Sequence, residues 1–237
     1  MPDTPSFTAA SDDVLNPLLP EAQAEVGADI DAVPARKRPR PGERRVQILQ
    51  TLASMLEQPG AERITTAALA ARIGVSEAAL YRHFASKAQM FEGLIEFIEQ
   101  TVFSLAKQLI DREAAGDADP RTLGRRQATR VMYLLVQFAE KNPGMVRVMC
   151  GDALVLEHER LQQRMNQLFD RLESTLRQCL RPLAEALGSP TPTVDAQVRA
   201  AALTAFLQGR LQRYARSGFK RLPSEQLDGT LDLLLAA

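Results

Sequence analysis

The sequence predicts an all-α protein, and three observations support this. Apolar residues recur three and four positions apart in every long segment, the spacing that puts them on one face of a helix. The segments start after Ser or Thr and stop at Gly, Pro or Asn, as helices do. No convincing run alternates apolar and polar residues as a half-buried strand would.

Residues 1–41 stand apart from this pattern. They are rich in Pro, Asp, Ala and Ser, lack a sustained apolar period, and end in Arg36-Lys37-Arg38-Pro39-Arg40-Pro41. That composition predicts a disordered arm with a basic end. It is either a solubilising linker or, standing just before a DNA-binding motif, a contact to DNA backbone.

From Arg44 the residues Val46, Ile48, Leu49, Leu52, Ala53, Met55 and Leu56 keep helical spacing up to Gln58-Pro59-Gly60. Thr65 then caps an alanine-rich segment to Ile73, which Gly74 terminates because glycine takes the left-handed conformation without a steric cost. Ser76 caps a short helix from Glu77 to about Phe84, and Ser86 with Gln89 three residues on forms a capping box for a longer one. The longer helix carries Phe91, Leu94, Ile95, Ile98, Val102, Leu105 and Leu109 on one stripe and ends near Ala115–Pro120. Helices follow at about 121–141, after Asn142-Pro143-Gly144, from about Leu154 to Leu187, and from about Val194 to Ser217. The last pair shows Leu161, Met165, Leu168, Leu172, Cys179 and Leu183, then Val198, Leu203, Phe206, Leu207, Leu211 and Tyr214.

Thr65 to Phe84 meets the requirements of a DNA-binding helix-turn-helix, whose second helix must project into a major groove wide enough for one helix. Leu69, Ile73, Val75, Leu80 and Phe84 are expected to point inward, Ala70 to permit a close crossing, and Gly74 to make the turn. Thr65, Thr66, Ser76, Glu77, Ala78, Tyr81, Arg82 and His83 then face outward, with Lys87 at the start of the next helix. Thr65 and Thr66 sit at a helix N-terminus, where hydroxyl and N–H groups suit a phosphate. Tyr81, His83 and Lys87 suit backbone or sugar, which sets register. Ser76, Glu77 and Ala78 occupy the end that meets base edges, and Arg82 suits either guanine or phosphate. The bland alternative is an ordinary solvated helix face.

The charge distribution agrees with a DNA-binding module. The formal net charge of the 237 residues is zero. Yet from Arg36 to Lys87 there are ten Lys or Arg against four Glu, an excess of six, whereas seven Asp or Glu and no Lys or Arg precede Arg36. A basic module inside a neutral chain faces phosphate, and Arg44, within that module, joins the DNA-facing set.

Leu80-Tyr81-Arg82-His83-Phe84-x-Ser86-Lys87 resembles the most recognisable signature of the TetR family of bacterial regulators. The resemblance implies a three-helix N-terminal DNA-binding domain, here 42–89, and a helical C-terminal dimerisation and partner-binding domain, here 90–237. Other words are similar to the nucleoid occlusion branch of that family: Arg63-Ile64-Thr65-Thr66-Ala67, Leu94-Ile95-Glu96-Phe97-Ile98-Glu99, Glu140-x-Asn142-Pro143-Gly144 and Arg164-x-Asn166-Gln167-Leu168-Phe169. They imply a homodimer on palindromic double-stranded DNA sites that, when DNA-bound, antagonises polymerisation of the tubulin-like division protein FtsZ. The resemblance admits either one dimer or two dimers on a site. The long arm, the loop around Gly116–Pro120 and the tail after Pro223 depart from the resemblance.

A partner surface is expected beside the motif. Phe97 falls off the apolar stripe of its helix, and the end of the 121–141 helix is expected nearby. Phe97, Leu134, Gln137, Lys141 and Asn142 are the candidates. Alternatively, Phe97 is buried between the domains and Asn142 caps a turn. Dimerisation is assigned to the two long C-terminal helices, with Gly209 allowing close approach.

Catalysis is not expected. There is no phosphate loop, no Gly-x-Ser-x-Gly elbow and no metal spacing, and of the two histidines His83 lies in the motif while His158 sits among charges. No cofactor or metal is expected. Cys150 and Cys179 are expected to be reduced and buried. No secretory signal is recognised and no apolar run approaches the roughly 18 residues of a membrane span, which predicts a cytoplasmic, nucleoid-associated protein. The competing function is a ligand-responsive repressor with a cavity lined by Tyr133, Phe138, Met149 and Phe169.

Overall fold

The computed structural model describes residues 42–58, 64–116 and 119–236. The expected arm over 1–41 lies outside the described residues. Nine α-helices run in chain order among those described: α1 (Glu43–Leu56), α2 (Thr66–Ile73), α3 (Glu77–Tyr81), α4 (Lys87–Ala114), α5 (Pro120–Lys141), α6 (Pro143–Met149), α7 (Glu159–Ala186), α8 (Pro192–Arg216) and α9 (Leu227–Leu234). A single 3₁₀ turn, Asp152–Leu154, separates α6 from α7. No strand occurs among the described residues, and none of the described helices is long and apolar enough to cross a membrane.

Helices α2 and α3 are short and pack on each other, and α1 backs α2 with Ile48, Leu49, Leu52 and Leu56 buried. Helix α4 crosses the expected division at 89/90 without a break and buries Met90, Phe91, Leu94, Ile95, Ile98 and Val102. It connects the motif to a bundle in which the turn after α7 folds α8 back along it, and α5 lies against both α4 and α7. One contiguous apolar core runs from Ile48 to Leu235, so the basic module and the bundle share buried surface.

Two glycines set how closely helices approach. A Cβ on Gly124 in α5 would lie 2.6 Å from the Cys179 carbonyl oxygen of α7, and one on Gly144 in α6 would lie 2.1 Å from the Ala53 carbonyl oxygen of α1. The second contact seats α1, and with it the motif, directly on the bundle.

Three expectations about elements need correction. Helix α7 begins at Glu159 instead of near Leu154, because Gly151 takes a positive φ of 82° and His158 caps the helix by accepting from the Arg160 N–H. Helix α3 ends at Tyr81, three residues before Phe84. Val198 is not part of the buried stripe of α8 but 64% exposed. The tail after Pro223 forms α9, which buries Leu227 and Leu231. Cys179 is buried as expected and Cys150 is only half-buried; both are free, with desolvation pushing their thiols up to about 11 and about 12.

Candidate nucleic-acid interface

The motif is assembled by hydroxyl caps and one left-handed glycine. Thr65 Oγ1 accepts from the Ala68 N–H at 3.1 Å and opens α2. At its other end Gly74 adopts φ 76°, ψ 41°, and its N–H and that of Val75 both reach the Ala70 carbonyl, at 2.9 and 3.0 Å. The carbonyls left over at the helix end are thereby satisfied, and the chain reverses. Ser76 Oγ then accepts from the Ala79 N–H at 3.3 Å to open α3. The two helices are tied to each other where Thr66 Oγ1 donates to Glu77 Oε2 at 2.7 Å.

Burial fixes which face of α3 is left over. Leu69, Ala70, Leu80 and Phe84 lie in the core, while Ile73 and Val75 are half-buried and packed against it. Thr65, Ser76, Glu77, Ala78, Arg82 and His83 are exposed, as is Tyr81 at 45%, and Thr66 is half-buried. A hydroxyl, a carboxylate, a methyl, a phenol, a guanidinium and an imidazole therefore share one exposed surface at and after a five-residue helix. This set offers groups for base edges at the N-terminal end and for phosphates at the C-terminal end.

Sequence reasoning did not single out the brace behind this surface. Arg45 of α1 donates to the His83 carbonyl at 3.1 Å, and its guanidinium lies 4.2 Å from the centre of the Phe84 ring. It thus holds the C-terminal end of the recognition segment from behind. Arg44, its neighbour, is half-exposed and donates to Gln47 within α1. Helical phase alone could have placed Arg45 on the inner edge of α1, but its target lies 38 residues away.

Lys87 is not simply outward. Its ammonium is 2.5 Å from Glu157 and 5.7 Å from the centre of the Phe91 ring. Two further ion pairs continue along α4, Glu92 to Arg160 at 2.6 Å and Glu99 to Arg164 at 3.0 and 2.6 Å, the last a two-pronged contact. Pairing with Glu99 raises the Arg164 guanidinium above its usual range.

The expected partner surface is only partly a surface. Leu134 is 3% exposed and Asn142 6% exposed. Leu134 lies among the buried residues of α5 that form the core. Asn142 sits between α5 and α6, with Nδ2 donating to the Phe138 carbonyl at 2.8 Å, which is the turn-capping alternative. Phe97 is half-buried, its ring centre 6.4 Å from that of Phe138. Gln137 and Lys141, one turn apart on α5, remain half-exposed.

Comparison with known proteins bears on both surfaces. Residues 48–94 match bacterial regulatory proteins of the tetR family, and residues 121–236 match the SlmA-like group of tetracyclin repressor-like C-terminal domains. The chain is 51% identical over 196 residues to the nucleoid occlusion factor SlmA of Photobacterium profundum, covering 81% of this chain and 94% of the relative. It is likewise 51% identical over 194 residues to the nucleoid occlusion factor SlmA of Vibrio cholerae, with the same coverage. Among solved structures, the TetR-family transcriptional regulator PfmR of Thermus thermophilus superposes with a TM-score of 0.62 at 24% identity, over 80% of this chain and 97% of that one.

Proposed function

The chain belongs to the TetR family of bacterial regulators, and from that premise we propose that it is a nucleoid occlusion factor, acting on DNA and on the division machinery in the cytoplasm. The half-identity to the two SlmA proteins, spread over nearly their whole length, carries this reading. The chain acts as a homodimer on palindromic DNA and, once bound, antagonises FtsZ polymerisation over the chromosome.

Each surface has an assigned task. Thr65 by its hydroxyl and Thr66 by its backbone N–H take a phosphate at the N-terminus of α2, and Tyr81, His83 and Lys87 set register on the backbone. Arg44 contacts backbone from the start of α1. Ser76, Glu77, Ala78 and Arg82 meet base edges, and the Thr66 to Glu77 bond aims the carboxylate before DNA arrives. The dimer forms through α7 and α8. On α8 the exposed Val194, Val198, Ala202, Ala205 and Gly209 follow one another at spacings of three and four, a flat line of small side chains that lets a second helix approach closely.

FtsZ binds where α4 meets the end of α5. Phe97, Gln137 and Lys141 supply the contact, with Leu134 and Asn142 shaping it from beneath. Phe97→Ala and Lys141→Ala are expected to keep DNA affinity, measured by fluorescence anisotropy, yet lose inhibition of FtsZ assembly by tenfold or more, about 1.4 kcal/mol each. Folded variants that inhibit at wild-type potency remove this surface from the mechanism.

The repressor alternative receives less support. Phe138, Met149 and Phe169 lie in the continuous core and Tyr133 is half-buried against it. Met149 also borders a groove of about 280 Å³, open to solvent, that Met165 helps to line.

A further inference from the structure

The geometry points to Lys87 as a switch residue: in the free protein Glu157 holds it, and on DNA its ammonium leaves Glu157 for a phosphate, releasing the short 155–157 stretch from the DNA-binding domain. The inference rests on the reading of Lys87 as a phosphate contact and adds what that contact must displace.

Lys87 is the first residue of α4, immediately after the recognition segment, and its side chain is 30% exposed. Glu157 comes from the far side of the chain, in the stretch between the 3₁₀ turn and α7, and its side chain is 10% exposed. The two are 2.5 Å apart. An ammonium has no fixed fork to share between carboxylate and phosphate oxygens, and it moves readily on a flexible four-carbon stem. A DNA duplex brings a dense line of phosphates, which a single carboxylate does not match in charge.

The loop has little else to hold this stretch. Ala153 and Leu154 are buried and anchor its beginning, and His158 caps α7 at its end. Between them Val155 and Leu156 are 67% and 68% exposed, and Glu157 ties the stretch to the DNA-binding domain through Lys87. The neighbouring pairs, Glu92 with Arg160 and Glu99 with Arg164, join α4 to α7 farther from the recognition segment. They keep the bundle attached while the loop is freed. DNA occupancy is thereby converted into a change on the bundle, at a pair of exposed apolar side chains.

Two measurements on the full chain test this together. Anisotropy titrations of a specific duplex compare wild type, Glu157→Gln and Lys87→Gln, and amide hydrogen exchange follows residues 150–158 of the wild type with and without duplex. Removing the competing carboxylate is expected to tighten binding about two- to fivefold, the worth of one partly exposed ion pair. The amides of 155–157 are expected to exchange faster on DNA. Glu157→Gln binding no more tightly than wild type would show that Glu157 aims the lysine at phosphate, and it overturns the switch. Unchanged or slower exchange on duplex overturns it as well, independently of how any variant folds. Lys87→Gln binding at wild-type affinity removes the phosphate contact itself; normal weakening by Lys87→Gln without a gain in Glu157→Gln removes the switch alone.

Discussion

Gly144 shows how much one missing methyl group controls. The Cβ of any other residue would meet the backbone oxygen of Ala53 at 2.1 Å, and backbone yields less than a side-chain tip. Gly144→Ala therefore has to push α1 away from α6. Overpacking of this kind costs about 1–3 kcal/mol, read as a lower midpoint in urea unfolding. Because α1 carries Arg45 behind His83 and Phe84, the variant is expected to lose DNA affinity as well, by more than an equally destabilising cavity in the bundle. The SlmA-like word Asn142-Pro143-Gly144 thus has a mechanical meaning here: Asn142 turns the chain and Gly144 seats the motif.

At the scale of elements, hydroxyl caps made the motif legible, because a cap acts over three residues. Thr65, Ser76 and Ser86 each accept from the N–H three positions on. Ser86→Ala should cost about 1 kcal/mol of unfolding free energy and Ser86→Asp close to nothing, as N-caps generally behave. An equal loss from both would mean that the hydroxyl acts elsewhere. Even this cap differs in detail from the expected box: the Gln89 side chain accepts from the Ala85 N–H instead of that of Ser86, at 2.8 Å. What escaped sequence reasoning depends on partners far along the chain. Glu157 lies seventy positions after Lys87 with no local pattern to link them. Val198 looked like core because large apolar residues dominate a periodicity count, whereas α8 buries its alanines, Ala196 and Ala200, and turns the valines outward. Helix α9 is two turns long, too short for a period to show, and it follows Gln226 in a left-handed conformation.

For the whole molecule, the proposed dimer interface is the line of outward valines and small residues on α8. Val198→Glu together with Gly209→Glu places two carboxylates on a face that leaves room in the monomer, since a Cβ at Gly209 meets nothing within 4 Å. The double variant is expected to stay folded but run as a monomer in sedimentation, and to lose affinity for a palindromic duplex by at least tenfold because two half-sites are no longer held by one particle. A dimer of unchanged stability would move the interface elsewhere. The continuous α4 and the shared core mean that the DNA-binding module and the surface around Phe97 belong to one body, and the proposed DNA-dependent antagonism of FtsZ requires that the first report to the second. The most direct measurement follows FtsZ polymerisation by light scattering with the protein alone, with a specific duplex, and with a scrambled duplex of the same length. Strong inhibition with the specific duplex, and weak inhibition in the other two conditions, is the predicted result. Inhibition that ignores DNA, or no inhibition under any condition, would contradict it.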